Sequence, residues 1–222
     1  MLFYAEKIET KTLRQQIAGQ IREALLRGLI KPGEKIVERE LAAQFDVSLT
    51  VIREAIVQLE AEGIVIKRPN ASTAIVQLST RDILDIFAVR RELERYAFME
   101  AARQINDEEF HELETLHRQA VDLAKAADGD AYIQADLAWH QAVWRVAKNN
   151  FLEAALQRVI IPLFGFSYIQ LASSEAFDLE EDARSHDKLM EAMRHKNPKE
   201  AEKAFAQAAE IWMNYALELE DE

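Results

Sequence analysis

Apolar residues recur along this chain at the three-to-four-residue period of α-helices almost throughout, with one short stretch apart. Ile17, Ile21, Leu25 and Leu29 fall every four residues and predict a first helix over roughly 10–28, ended by the proline and glycine of "LIKPGEKI". Leu41, Ala42 and Phe45 mark a short helix. "DVS" is a tight break in which Ser48 can cap the next helix, and Ile52, Ala55, Ile56 and Leu59 predict that helix, stopped by Gly63. "IVIK" and "TAIVQL" then predict two short strands joined by a turn at "RPNAS". Helix, short helix, turn, helix and hairpin make a winged helix-turn-helix. From Thr80 the pattern is helical to the end, and breaks at "QINDEE", "AADGDA", "KNNF", "LASSEAFD" and "HKNPKE" divide it into about six helices with apolar stripes. The expected fold is mainly α: a winged helix-turn-helix over residues 1–78, then an all-α six-helix bundle over 79–222.

A net charge of −12 argues at first against a nucleic-acid partner, which needs a basic footprint. The charge is unevenly spread. Residues 1–78 hold 11 Lys and Arg against 10 Asp and Glu, and residues 79–222 hold 16 against 29, so the acidity belongs to the bundle alone. The winged motif therefore keeps DNA as its implied ligand. Its second helix fits the major groove, and the hairpin reaches an adjacent groove or phosphates. The residues available for contact are Arg39, Thr50 and Arg53 on the helices, with Lys67 and Arg68 on the wing. With no cysteine there are no disulfides, thiolate metal sites or cysteine nucleophile, as suits a reducing cytoplasm. With no membrane-length apolar run and no signal-peptide pattern, the expectation is a cytoplasmic protein without a membrane partner.

The stretch "GLIKPGEKIVERELAAQFDVSLTVIREAIVQLEAEGIVIKRPNASTAIV" is similar to the DNA-binding domain of GntR-type bacterial transcription regulators, with its PGE turn, ereLA helix, VSxTxVREAL recognition helix and LEAEGL exit. The chain departs from the pattern in two places, the recognition helix and the wing. Leu49 stands where the family usually has an arginine able to grip guanine by two hydrogen bonds, and Asn70 and Ser72 stand where the wing tends to have glycines. Both put the usual operator sequence in question. A motif that reads only a few base pairs implies a homodimer on a palindromic double-stranded operator.

In the bundle, "DLAWH" places Asp136 and His140 four apart within a stripe of Ile133, Leu137, Val143, Trp144 and Ala147. His186 lies in another stripe, with Leu179, Ala183, Met190 and Met193. Two nitrogens and one carboxylate suit a divalent ion of zinc, nickel or iron type with positions left open. The alternatives are that His186 satisfies Asp136 by a hydrogen bond or that one histidine faces solvent. The bundle resembles the FCD effector-binding domain of the FadR subfamily, in its smaller VanR-like form. The resemblance implies an Asp-x-x-x-His pair and a later histidine as metal ligands, matched by Asp136, His140 and His186. A fourth histidine is implied where this chain has Ala208, between Phe205 and Ile211. Arg90 matches an arginine that faces the effector cavity in that family. A guanidinium there implies a carboxylate effector, and the alternative is a pair with Glu94 one turn on. Tyr168 and Trp212 read as cavity lining or as core.

The function expected is a ligand-responsive DNA-binding regulator, a repressor in the family's commoner mode. The competing reading is a helical metalloenzyme with an accessory N-terminal domain. It would need an acid or base beside the metal, and the nearest is Asp182, which the spacing puts at the edge of the inward stripe.

Overall fold

The computed structural model describes residues 12–67, 73–164 and 177–218. The first helix, α1 (Leu13–Leu26), starts at a capping box in which Thr12 and Gln15 satisfy each other's backbone N–H groups. It is shorter than its apolar spacing predicts. Gly28 takes a left-handed φ of 65°, which closes the helix and leaves Leu29 73% exposed, outside the stripe that its spacing continues.

Helices α2 (Glu38–Gln44) and α3 (Leu49–Ala61) follow, the second capped by Ser48, and then the wing strands β1 (Val65–Lys67) and β2 (Thr73–Ile75). The strands pair antiparallel with Val65 opposite Ile75 and Lys67 opposite Thr73. The segment after α1 adds to this hairpin, with Ile36 N donating to Thr73 O and Ile75 N to Glu34 O. Its "KPGEK" residues carry no strand signal, because a proline-glycine turn masks a pairing made through backbone alone. Ile17, Ile21 and Leu25 of α1, Ile52, Ile56 and Leu59 of α3, and Val65 and Ile75 of the wing close one core.

The bundle consists of α4 (Thr80–Gln104), α5 (Asp107–Lys125), α6 (Gly129–Val146), α7 (Asn150–Leu163), α8 (Leu179–Ser185), α9 (Asp187–Arg194) and α10 (Pro198–Glu218). The fifth of the six expected helices is therefore broken: α8 and α9 meet at His186, which caps both. Helices α4 and α10 pack along each other, α5 along α6, and α7 against α4 and α6.

The bundle's apolar interior falls into two clusters. Phe87, Tyr132, Trp144, Phe164 and Trp212 belong to one, and Phe98, Trp139, Leu189 and Phe205 to the other. Helices α4, α6 and α10 contribute to both clusters. The buried polar residues Arg90, Glu94, Asp136, His140, Asp182 and His186 come from α4, α6, α8 and the α8–α9 joint. They interrupt the apolar core as a polar layer.

The last turn of α7 serves both halves of the chain. Ile161 is buried in the winged-helix core, while Ile160, Leu163 and Phe164 are buried in the bundle. Gly63, just past α3, has φ 76°, a backbone conformation that favours glycine, and a side chain there would also press on Pro162 Cγ at 3.3 Å.

Candidate functional site

Each polar side chain of the layer reaches the interior because it occupies a core position on its helix. On α4 the buried stripe runs Ile83, Phe87, Arg90, Glu94, Ala97, Phe98, Ala101, so two charged residues are carried inward by the same period as their apolar neighbours. Arg90 Nε donates to Glu94 Oε2 at 2.6 Å, and its guanidinium carbon lies 5.5 to 5.8 Å from the ring centres of Phe87, Phe164 and Trp212. Arg90 makes the pair with Glu94 that stood as the alternative to an effector contact, and it also lines the cavity described below. Glu94 also accepts from Trp144 Nε1 at 3.0 Å, and its Oε1 lies 2.8 Å from His140 Nδ1, in ion-pair range but off the line of a well-formed hydrogen bond. Burial works to raise the Glu94 pKa, but Arg90 and His140 outweigh it and hold the carboxyl well below the usual range.

The tautomer of His140 follows from these contacts. Carboxylate Glu94 faces Nδ1, and Arg90 Nη2 lies 3.4 Å from Nε2. A guanidinium has only donors, so in a neutral His140 ring Nε2 would be the nitrogen that carries the lone pair.

Asp136, His140 and His186 are brought together, buried, with one ligand atom from each lying within 4.8 Å of the others. His140 Nε2 is 3.8 Å from Asp136 Oδ2, and His186 Nδ1 is 3.5 Å from Asp136 Oδ1. Bonds of about 2.1 Å at tetrahedral angles place donors roughly 3.4 Å apart, so small side-chain adjustments would close these three on one ion. Burial, with the nearby charges of His140, His117 and Arg90, pushes His186 well below its ordinary pKa, which keeps it in the neutral form that a metal requires. The Trp139 ring stacks on it at 4.3 Å. The donor set therefore fits a divalent cation.

Asp182 does not lie where its spacing puts it. It is fully buried rather than at the stripe's edge, one turn before His186, and it accepts from Tyr132 Oη and Trp212 Nε1, each at 2.6 Å. Burial and the charge of Asp136 raise its pKa to about 7, and the two hydrogen bonds and Arg90 only partly offset them. Trp212 is thus both core and site. Tyr168 lies outside the described residues.

A cavity of about 220 Å³ opens onto the layer, walled by Phe87, Arg90, His140, His186, Phe205, Ala208 and Trp212 among others. Ala208 stands in the position implied for a fourth ligand and leaves that side of the cavity open. Sequence reasoning did not name Tyr132, and it named Glu94 only as a partner for Arg90 and Asp182 only as an acid at the edge of the stripe. For Glu94 the signal was present, a charge inside an apolar stripe, the same one that exposed Asp136 and His140.

On the DNA side, Arg39, Thr50, Arg53 and Lys67 are exposed, Leu49 is half-buried, and Arg68 lies outside the described residues. Arg53 is not idle: its Nε donates to Glu38 Oε2 at 2.8 Å, an exposed pair that gives up at most about 1 kcal/mol when a phosphate or base replaces it. Val57 is 61% exposed on the recognition helix and was not singled out in the sequence.

A winged helix joined to a helical domain is the architecture of a DNA-binding regulator. Residues 13–75 match the bacterial regulatory proteins of the gntR family and residues 85–210 match the FCD domain, so the chain belongs to the GntR family, in the FadR subfamily that carries this domain. It is a DNA-binding transcription regulator, in a family of regulators rather than enzymes. It is 28% identical over 195 residues to a probable D-xylose utilization operon transcriptional repressor of Paenarthrobacter nicotinovorans, covering 86% of this chain and 84% of that one. It is 28% identical over 152 residues to the gluconate operon transcriptional repressor of Bacillus licheniformis, covering 68% and 62%. The solved structure of Escherichia coli McbR/YncC shares the fold, with a TM-score of 0.83 over 95% of this chain and 99% of that one at 19% identity. Among the described residues no helix is long and apolar enough to cross a membrane.

Proposed function

We propose that the protein is a homodimeric repressor that reads a palindromic operator through Arg39, Thr50, Arg53, Lys67 and Arg68 and releases it in response to a small carboxylate. Asp136, His140 and His186 would hold a divalent cation, and Arg90 would receive the carboxylate in the cavity beside them. The observation that carries this reading is the buried polar layer with a cavity opening onto it. Burying Glu94, Asp136 and Asp182 carries a large desolvation cost, and a layer built only for stability would be apolar. When bound, the cation supplies positive charge and open coordination positions for an oxygen ligand. Glu94 orients His140, Trp139 holds the His186 ring, and the aromatic faces around Arg90 keep the guanidinium at the cavity wall. Repression is supported by relatives whose names describe repressors of a D-xylose utilization operon and a gluconate operon. Gluconate is itself a carboxylate.

Selection of bound sequences from random duplexes tests the DNA side. The protein is expected to enrich a palindrome. Arg53→Ala should weaken binding to it and, where that arginine meets phosphate, make the salt dependence shallower. Enrichment of no palindrome, or unchanged binding by Arg53→Ala and Arg68→Ala together, refutes the docking.

A further inference from the structure

Leu49 opens α3 directly after the capping Ser48, and it is half-buried without belonging to the winged-helix core. Among the described residues, the α3 side chains that pack on that core are Val51, Ile52, Ala55, Ile56 and Leu59. A leucine kept for stability would join them. Instead it stands beside Thr50 and one turn before Arg53, both exposed, at the end of the helix that meets base edges in a helix-turn-helix. Arg53 is tied through its Nε to Glu38 of α2, so the tip of α3 itself carries one hydroxyl, on Thr50, and one apolar side chain, on Leu49. We infer that Leu49 is a specificity-determining residue, which reads the 5-methyl group of a thymine in each half of the operator.

The chemistry of the groove selects the base. Guanine shows two acceptors there, adenine an acceptor and a donor, and cytosine a donor; thymine adds to its acceptor an apolar group, the C5 methyl. Leucine has neither donor nor acceptor on its side chain. Pressed on a purine edge, it would strip water from hydrogen-bonding groups and offer nothing in return, which weakens binding. Against thymine it gains an apolar contact instead. Leu49 thus discriminates twice, by touching the methyl and by excluding the polar edges, while Thr50 beside it can bond to a base of either kind.

This inference rests on the docking proposed above, and the test separates the two. The full chain is titrated with the palindrome that it selects from random duplexes, and with copies in which each thymine of a half-site is replaced in turn by deoxyuridine. That base keeps every hydrogen-bonding group and lacks only the methyl. At one thymine the parent should lose about fourfold for each half-site, roughly what burying one methyl group contributes, and so about 15-fold when both halves are changed. Leu49→Ala no longer reaches the methyl, so it should bind the thymine palindrome more weakly than the parent and lose less than about twofold on the same replacement. Leu49→Met keeps the apolar reach and should keep the sensitivity, which guards against a fold defect in the alanine variant. A parent that responds at no thymine, or equal losses by parent and Leu49→Ala at every thymine, overturns the assignment; the docking then stands if Arg53→Ala still weakens binding. Selection of no palindrome overturns both.

Discussion

Replacing Asp182 by asparagine removes a buried charge while keeping its shape, and the structure sets how large the effect should be. In chelator-stripped protein the groups facing Asp182 among the described residues include Tyr132 and Trp212, which donate to it, Asp136, which repels it, and Arg90, which attracts it. The carboxyl ionises near 3.8 when unfolded and about 7 when folded, so between those values the folded chain holds the extra proton. Its contribution to stability is fully present below about 3.8 and is lost as pH rises to 7. For one group with these two values the loss between pH 5 and pH 8 is roughly 2 to 3 kcal/mol, because each pH unit in the window between them costs about 1.4 kcal/mol. Asparagine lacks that loss. It also lacks one acceptor for Tyr132 or Trp212, a fixed cost of about 1 kcal/mol that does not change with pH. His186 acts in the opposite sense: its depressed pKa makes the fold less stable as pH falls below 6.5. Parent and variant share that effect, so the quantity to measure is their difference. Urea unfolding of both proteins at pH 5, 6, 7 and 8, with chelator present, should show Asp182→Asn gaining roughly 2 to 3 kcal/mol on the parent across the series. A difference independent of pH would show that Asp182 is ionised throughout and that its environment does not disfavour the charge.

Two further outcomes concern residues that depart from the family pattern. Ala208→His, on the open wall of the cavity, should make bound zinc more resistant to chelator by elemental analysis, and the gain should vanish when His140→Ala is added; no gain would mean that position 208 does not face the cation. Leu49→Arg, at the first position of the recognition helix, should tighten binding to a guanine-bearing operator by about 1 to 3 kcal/mol in a fluorescence anisotropy titration, and no gain on any selected sequence would place the helix differently in the groove.

Helical period and turn residues determined the winged helix, the long helical domain and the inward direction of Asp136 and His140, because these are local properties of a backbone with 3.6 residues per turn. The same reasoning made Glu94 readable as an inward charge, though only as a partner for Arg90. What the local pattern could not decide was which inward-facing residues meet. Glu94 touches His140 only because α4 packs against α6, and Asp182 reaches Tyr132 and Trp212 only because α8 packs against α6 and α10. Gly63 reads in sequence as a helix stop, and tertiary structure adds that Pro162 of α7 lies against it. Ile161 is one position of an apolar run, and only packing sends it into the winged-helix core while its neighbours Ile160 and Leu163 fill the bundle. Direction along a helix is set by a residue's own dihedral angles. Contact between helices is set by the whole core, where burial fixes positions that no single segment encodes.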